Sequence, residues 1–310
     1  MKFDRRSVIA GAGALSALAC VPVDQSREGR IAAMIRIIER DLGGRLGVAF
    51  FDPDAQAIVE YRGYERFPLA STFKASLAAF ALAEERAGSI DLSQRASWTE
   101  EELIFHTPFT GPRVTEGASL LELARAAQTV SDNLAANILL DRLGGPEALT
   151  AFWRSLGDEY SRLDRRETAL NFVPPDELRD TTTPLAMART LARILETTGA
   201  GPLGSERASL LRQWMIESTT GLDRIRAGLP DEWIAGDKTG NSGSWNGAMG
   251  YLRADIGFVE SPARTPVFFA AYHQSPVGEP VPADRVDTGF AQLGRALTIW
   301  VRGLYTIRPT

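Results

Sequence analysis

Lysine is nearly missing from this chain of 310 residues. Of its 34 cationic side chains only Lys2, Lys74 and Lys238 are lysines; the rest are arginines. On a solvated surface that exchange costs little. It fails wherever a compact amine must give up its proton, because guanidinium stays charged. Lys74 and Lys238 therefore stand out as functional candidates before any pattern is considered. Histidine is scarcer still, with His106 and His273 alone. A Ser-His-Asp triad would have to pass through one of them, and no Gly-x-Ser-x-Gly turn supports it. Cys20 is the single cysteine, so no internal disulfide is expected. Two isolated histidines make a zinc site improbable, and no metal or cofactor is expected. Excess positive charge is also absent: the formal net charge of -5 is the wrong sign for a general nucleic-acid binder. Heptads, repeats and low-complexity runs are lacking.

The apolar run from Val8 to Ala19 is too short for a bilayer helix, which needs about 20 residues. Lys2, Arg5 and Arg6 precede it and Ala17-Leu18-Ala19 end it, the pattern of an export signal over residues 1–19. The paired arginines suggest the twin-arginine route, hence a periplasmic protein. Cys20 at the cleavage point is a candidate lipid anchor, and no membrane span is expected. Removing residues 1–19 takes away three cations and one carboxylate, so the mature charge becomes -7.

What is present is an ordinary globular balance, 44% hydrophobic and 24% charged. The length suits one large domain or two interlocked subdomains. Helical spacing runs from Ile31 to Leu42, and strands are expected at Leu46 to Phe51 and Ile58 to Tyr61 around an Asp52-Pro53-Asp54 turn. A long apolar helix covers Thr72 to Ala87. From there to about Gly204 the pattern is helical without a convincing strand, with helices at Ser119 to Thr129, Leu134 to Leu143, Pro146 to Leu156 and Pro184 to Thr198. Arg162 to Thr183 has no periodicity, and a loop of that length in a compact domain is often functional. After a helix around Ala208 to Glu217, strands return at Trp233 to Thr239, Tyr251 to Glu260 and Val267 to His273, followed by a helix from Asp284 to Arg302.

The expected fold is α+β. A five-stranded antiparallel sheet flanked by helices, residues 27–68 with 208–310, carries an inserted all-α subdomain over residues 69–207. The cleft between the two is the natural place for an active site.

Ser71-Thr72-Phe73-Lys74 opens the long apolar helix. Residues three apart share a helix face, so hydroxyl and amine can meet. A lysine with a lowered pKa can then activate the serine, and free N–H groups at a helix start suit a developing oxyanion. Ser131-Asp132-Asn133 falls at a helix–helix junction, and Lys238-Thr239-Gly240 closes a predicted strand. The three motifs in this order, about 60 and then about 105 residues apart, resemble the signature of serine β-lactamases and penicillin-binding proteins. The stretch Arg162 to Asn171, continued by Arg179-Asp180-Thr181-Thr182-Thr183-Pro184, is similar to the Ω-loop of class A β-lactamases, placed here at residues 162–180.

The resemblance implies a hydrolase that opens the lactam ring of a small-molecule β-lactam through an acyl-enzyme on Ser71; a monomer is expected. It implies that Lys74, Ser131 and Glu167 share the proton transfers. Glu167 and Asn171 would hold the deacylating water, and Arg165 and Asp180 would pin the loop. Lys238 and Thr239 would take the substrate carboxylate, with Asn133 and Asn241 beside them. Arg224 and Arg253 compete as further carboxylate ligands, and His106 falls on a position at the cleft entrance. Whether Lys74 or Glu167 activates Ser71 stays open. Thr168 stands where many relatives have proline. The rival readings are a D,D-peptidase and a penicillin-sensing domain, both of which would stall as the acyl-enzyme.

Overall fold

A computed structural model describes residues 26–243, 246–262 and 265–304. The expected export signal and Cys20 lie outside the described residues. Ser26 starts α1 (Arg27–Leu42), its side chain accepting from Gly29 N. The helix begins one turn before the apolar spacing does, because Arg27 to Arg30 are polar and carry no periodicity. Strands β1 (Arg45–Asp52) and β2 (Ala57–Tyr61) form a hairpin. A short β3 (Phe67–Pro68) leads through a 3-10 turn into α2 (Phe73–Ala87), which stops at Gly88 with φ 75°.

Next come β4 (Arg95–Ala96), β5 (Ala118–Ser119), α3 (Leu120–Thr129), α4 (Asn133–Arg142) and α5 (Gly145–Ser155). After the long loop follow β6 (Thr181–Thr182), α6 (Pro184–Ile194) and α7 (Gly204–Ile216). Strands β7 (Ile234–Ser242), β8 (Leu252–Glu260) and β9 (Val267–Gln274) precede α8 (Ala283–Gly303). None of the described helices is long and apolar enough to cross a membrane.

The five long strands form one antiparallel sheet in the order β2-β1-β9-β8-β7, so strands from the two ends of the chain meet at β1 and β9. Successive side chains alternate between its faces. On β9, Val267, Phe269 and Ala271 pack with α1 and α8, among Ile35, Phe290 and Trp300. Phe268, Ala270 and Tyr272 face the other way into a core shared with α2 to α7, including Phe73, Leu123 and Trp153. The sheet is thus the wall between two apolar cores.

Two expectations are corrected. The helical region does contain strand pairs, β4 with β5 and β6 with β3, but each is two residues long and too short to show alternation. The helix from Pro184 stops at Ile194 instead of Thr198, where the Glu196 carboxylate takes the Thr198 and Gly201 N–H groups and holds a loop.

Candidate active site

Ser71 sits in the 3-10 turn Ala70–Thr72 that opens α2, and Lys74 lies one turn on. Ala70 has φ 40° and Ser131, in the turn between α3 and α4, has φ 60°. Left-handed backbone is costly for a side-chain-bearing residue and gathers at functional sites. The turn at Ser131 is held by its neighbour Asp132. That carboxylate caps α4 through Ala135 N and also accepts from Phe109 N, Thr110 N and the Thr110 hydroxyl.

Lys74 is fully buried. Its Nζ is 3.0 Å from Ser71 Oγ, 2.9 Å from Ser131 O, 3.4 Å from Ser131 Oγ and 3.0 Å from Glu167 Oε1, and it also donates to Asn133 Oδ1. An ammonium has three hydrogens for these five acceptors. Burial pushes the amine below its ordinary pKa, and the Glu167 carboxylate opposes that shift. Ser71 Oγ lies 3.3 Å from Glu167 Oε1, close enough to donate to it. Asn133 also donates to Phe105 O, which ties the cleft rim to α4.

Glu167 is carried by the loop between α5 and α6, and the Glu167–Thr168 peptide is cis. Asp180 binds the loop's neck together, accepting from Asp164 N, Arg165 N and, at 2.5 Å, the Arg165 guanidinium. Arg165 also donates to Phe172 O across the loop. Asn171 Nδ2 donates to Glu167 Oε2 at 2.6 Å. On α4, Asn137 grips the Glu167 main chain from both sides, accepting from its N–H at 3.0 Å and donating to its carbonyl at 2.8 Å.

The opposite wall is β7, which extends three residues beyond the predicted end at Thr239, so the Lys-Thr-Gly motif lies inside the strand and Asn241 continues it. Gly240 allows the close approach to the Ser71 turn: a Cβ there would lie 3.0 Å from Thr72 Cγ2 and 3.1 Å from Leu69 O. Lys238, fully buried, donates to Ser131 Oγ at 3.0 Å. Burial and then the nearby Lys74 charge hold its pKa well below the ordinary amine value. Ser131 Oγ therefore sits between the two amines. Thr239 donates to Thr220 Oγ1 at 2.7 Å.

These groups line a cleft of about 640 Å³, walled by Ser71, Ser131, Glu167, Asn171, Thr239 and Asn241, with Phe105 and His106 at its rim. His106 is bonded through Nε2 to Val130 O. Neither of the two candidate arginines lines this cleft. Arg224 is buried and spent on Asp287, Ala254 O and Asn241 Oδ1. Arg253, paired with Asn241 in the β7–β8 register, is turned to Asp287 as well. A single carboxylate at the start of α8 thus draws both guanidiniums behind the strand. Asn137 and Thr220 were missed as site residues. A second asparagine four residues after Asn133, inside a helix that asparagine disfavours, was the available signal for the first; Thr220 is recognisable only once β7 lies beside it.

The profile of the "Beta-lactamase enzyme family" matches residues 28–301. Beta-lactamase FAR-1 of Nocardia farcinica is 49% identical over 204 residues, 66% of this chain and 64% of that protein. Beta-lactamase AST-1 of Nocardia asteroides is 41% identical over 86% of this chain and 87% of its own. The solved class A β-lactamase described as the last common ancestor of Gram-negative bacteria superposes with a TM-score of 0.81, at 41% identity over 89% of this chain and 99% of its own. The chain belongs to the β-lactamase enzyme family and, within it, to the class A hydrolases that act on β-lactams.

Proposed function

We propose that Ser71 Oγ attacks the lactam carbonyl carbon while its proton passes to Lys74, as the neutral amine, or to Glu167. The carbonyl oxygen then takes the negative charge and accepts from the backbone N–H groups of Ser71 and Asn241. The C–N bond breaks, and Ser131 passes a proton to the leaving nitrogen. Its place between two amines, at 3.0 Å from Lys238 and 3.4 Å from Lys74, supports that relay. Thr239 and Thr220 present hydroxyls to the substrate carboxylate, and Lys238 behind them supplies positive field. Arg224 acts through Asn241 as a positioning residue, and Arg253 steadies Asp287. Asn133 orients Lys74, and His106 shapes the entrance.

In the second half, water held by Glu167 and Asn171 attacks the ester. Glu167 takes the water's proton, the ester C–O bond breaks and Ser71 regains its hydrogen. One observation carries this reading: Glu167 Oε1 stands 3.3 Å from Ser71 Oγ, anchored from a distant stretch of chain. The Glu167→Ala variant is expected to accumulate a penicilloyl adduct on Ser71, visible as a stable mass increase after mixing with penicillin. Undiminished turnover by that variant would refute the assignment. In the same reading the enzyme works as a monomer in the periplasm after twin-arginine export, with Cys20 as a lipid anchor. Radiolabelled palmitate incorporation that is lost in Cys20→Ala tests the anchor.

A further inference from the structure

A second cavity, of about 490 Å³, lies between β1, α6 and the segment that enters the Glu167 loop, and shares no lining residue with the catalytic cleft. Phe51 and Leu185 form part of its apolar floor, and Tyr64 and Tyr160, 60% and 43% exposed, stand at its edge. Arg189 and Arg193 also line it, both exposed and one turn apart on α6. Arg189 lies over the Phe51 ring, 6 Å from its centroid to the nearest ångström. Like charges at this spacing repel, yet no carboxylate among the described residues forms an ion pair with either arginine.

The two acids in the wall are already occupied. Asp158 accepts from Tyr160 N, Ser161 N, the Ser161 hydroxyl and the Thr190 hydroxyl. Glu196 accepts from Thr198 N and Gly201 N. Both carboxylates keep their charge but neither is paired with an arginine, so the cavity offers two guanidiniums without a direct ion pair above an apolar floor.

We propose that this cavity is a binding site for a small amphipathic carboxylate, an aromatic acid whose anionic end is held by Arg189 and Arg193 while its ring rests on Phe51 and Leu185. Guanidinium forks match carboxylate geometry, and the volume falls within the range of small-molecule pockets. The site stands apart from the β-lactam chemistry and does not depend on the roles assigned to Ser71 or Glu167.

Naphthalene-2-carboxylate is a suitable probe, titrated calorimetrically into the purified protein. One saturable site is expected, with affinity reduced about tenfold or more in the exposed double variant Arg189→Gln/Arg193→Gln. The neutral naphthalene-2-carboxamide should bind wild type correspondingly weakly, and the probe should leave the KM for nitrocefin unchanged. Absence of saturable binding, equal affinity in the double variant, or a KM that climbs with probe concentration would overturn the proposal, the last by placing the probe in the catalytic cleft.

Discussion

Replacing Asn137 with leucine removes two hydrogen bonds and keeps the branched side-chain shape. The amide of Asn137 holds the Glu167 main chain at 3.0 Å and 2.8 Å, from a helix that does not itself belong to the loop. Each such bond contributes about 1 kcal/mol net, so about 2 kcal/mol of anchoring is at stake. If Glu167 drifts by that loss, the water attack on the ester slows by about thirtyfold. Stopped-flow nitrocefin hydrolysis reads the effect directly. Deacylation should become limiting, with a burst of one equivalent, and kcat and KM should fall together while kcat/KM stays near wild type. A proportional fall in kcat/KM would show that Glu167 also activates Ser71 and would decide the shared proton transfer against Lys74 acting alone. An unchanged kcat, with the fold intact, would refute the idea that Asn137 positions the general base.

Other outcomes follow from the buried charges. Lys238→Met should abolish hydrolysis yet raise Tm by about 2–8 °C, because it removes an amine buried beside Lys74. Its folded pKa lies below the unfolded value of about 10.4, so the gain should be full at low pH and fade as pH rises through that window, as scanning calorimetry would record. Asp255 is buried beside Asp237, and each has one oxygen without a hydrogen-bond partner among the described residues. Burial first, and the Asp237 charge next, raise its pKa well above the ordinary value. A raised pKa gives stability that is full at low pH and lost as pH climbs through the folded value, so Asp255→Asn should flatten that loss in a pH series of thermal melts. Asp132→Ala leaves four donors without their acceptor and should cost about 3–5 kcal/mol in urea unfolding; a loss under about 1 kcal/mol would mean that the Ser131 turn is held elsewhere.

The elements most readily read from the sequence were those with long apolar patterns. The hairpin, α2, α8 and the three late strands all lie within a few residues of their expected ends. Misses fell where the pattern is short or the stabilising partner is remote. Two-residue strands such as β6 exist because Thr181 and Thr182 meet Phe67 and Pro68, more than a hundred residues earlier. The end of β7 was underestimated because Asn241 and Ser242 have little strand preference of their own; pairing with Arg253 and Leu252 keeps them extended.

The amino-acid sequence by itself determined the chemical inventory: a serine three before one of only three lysines, a second serine, a loop glutamate, and the order that ties them to one family. Local spacing fixes which side chains share a helix face, and an arginine-rich composition exposes the few amines that chemistry retains. Only the tertiary structure decided what each group faces. It drew Arg224 and Arg253 away from the cleft to Asp287, brought Lys238 within 3.0 Å of Ser131, and set Asn137 under Glu167. Those outcomes rest on contacts between segments far apart in the chain, whose direction is set by strand register and helix packing and is not encoded in any one stretch of residues.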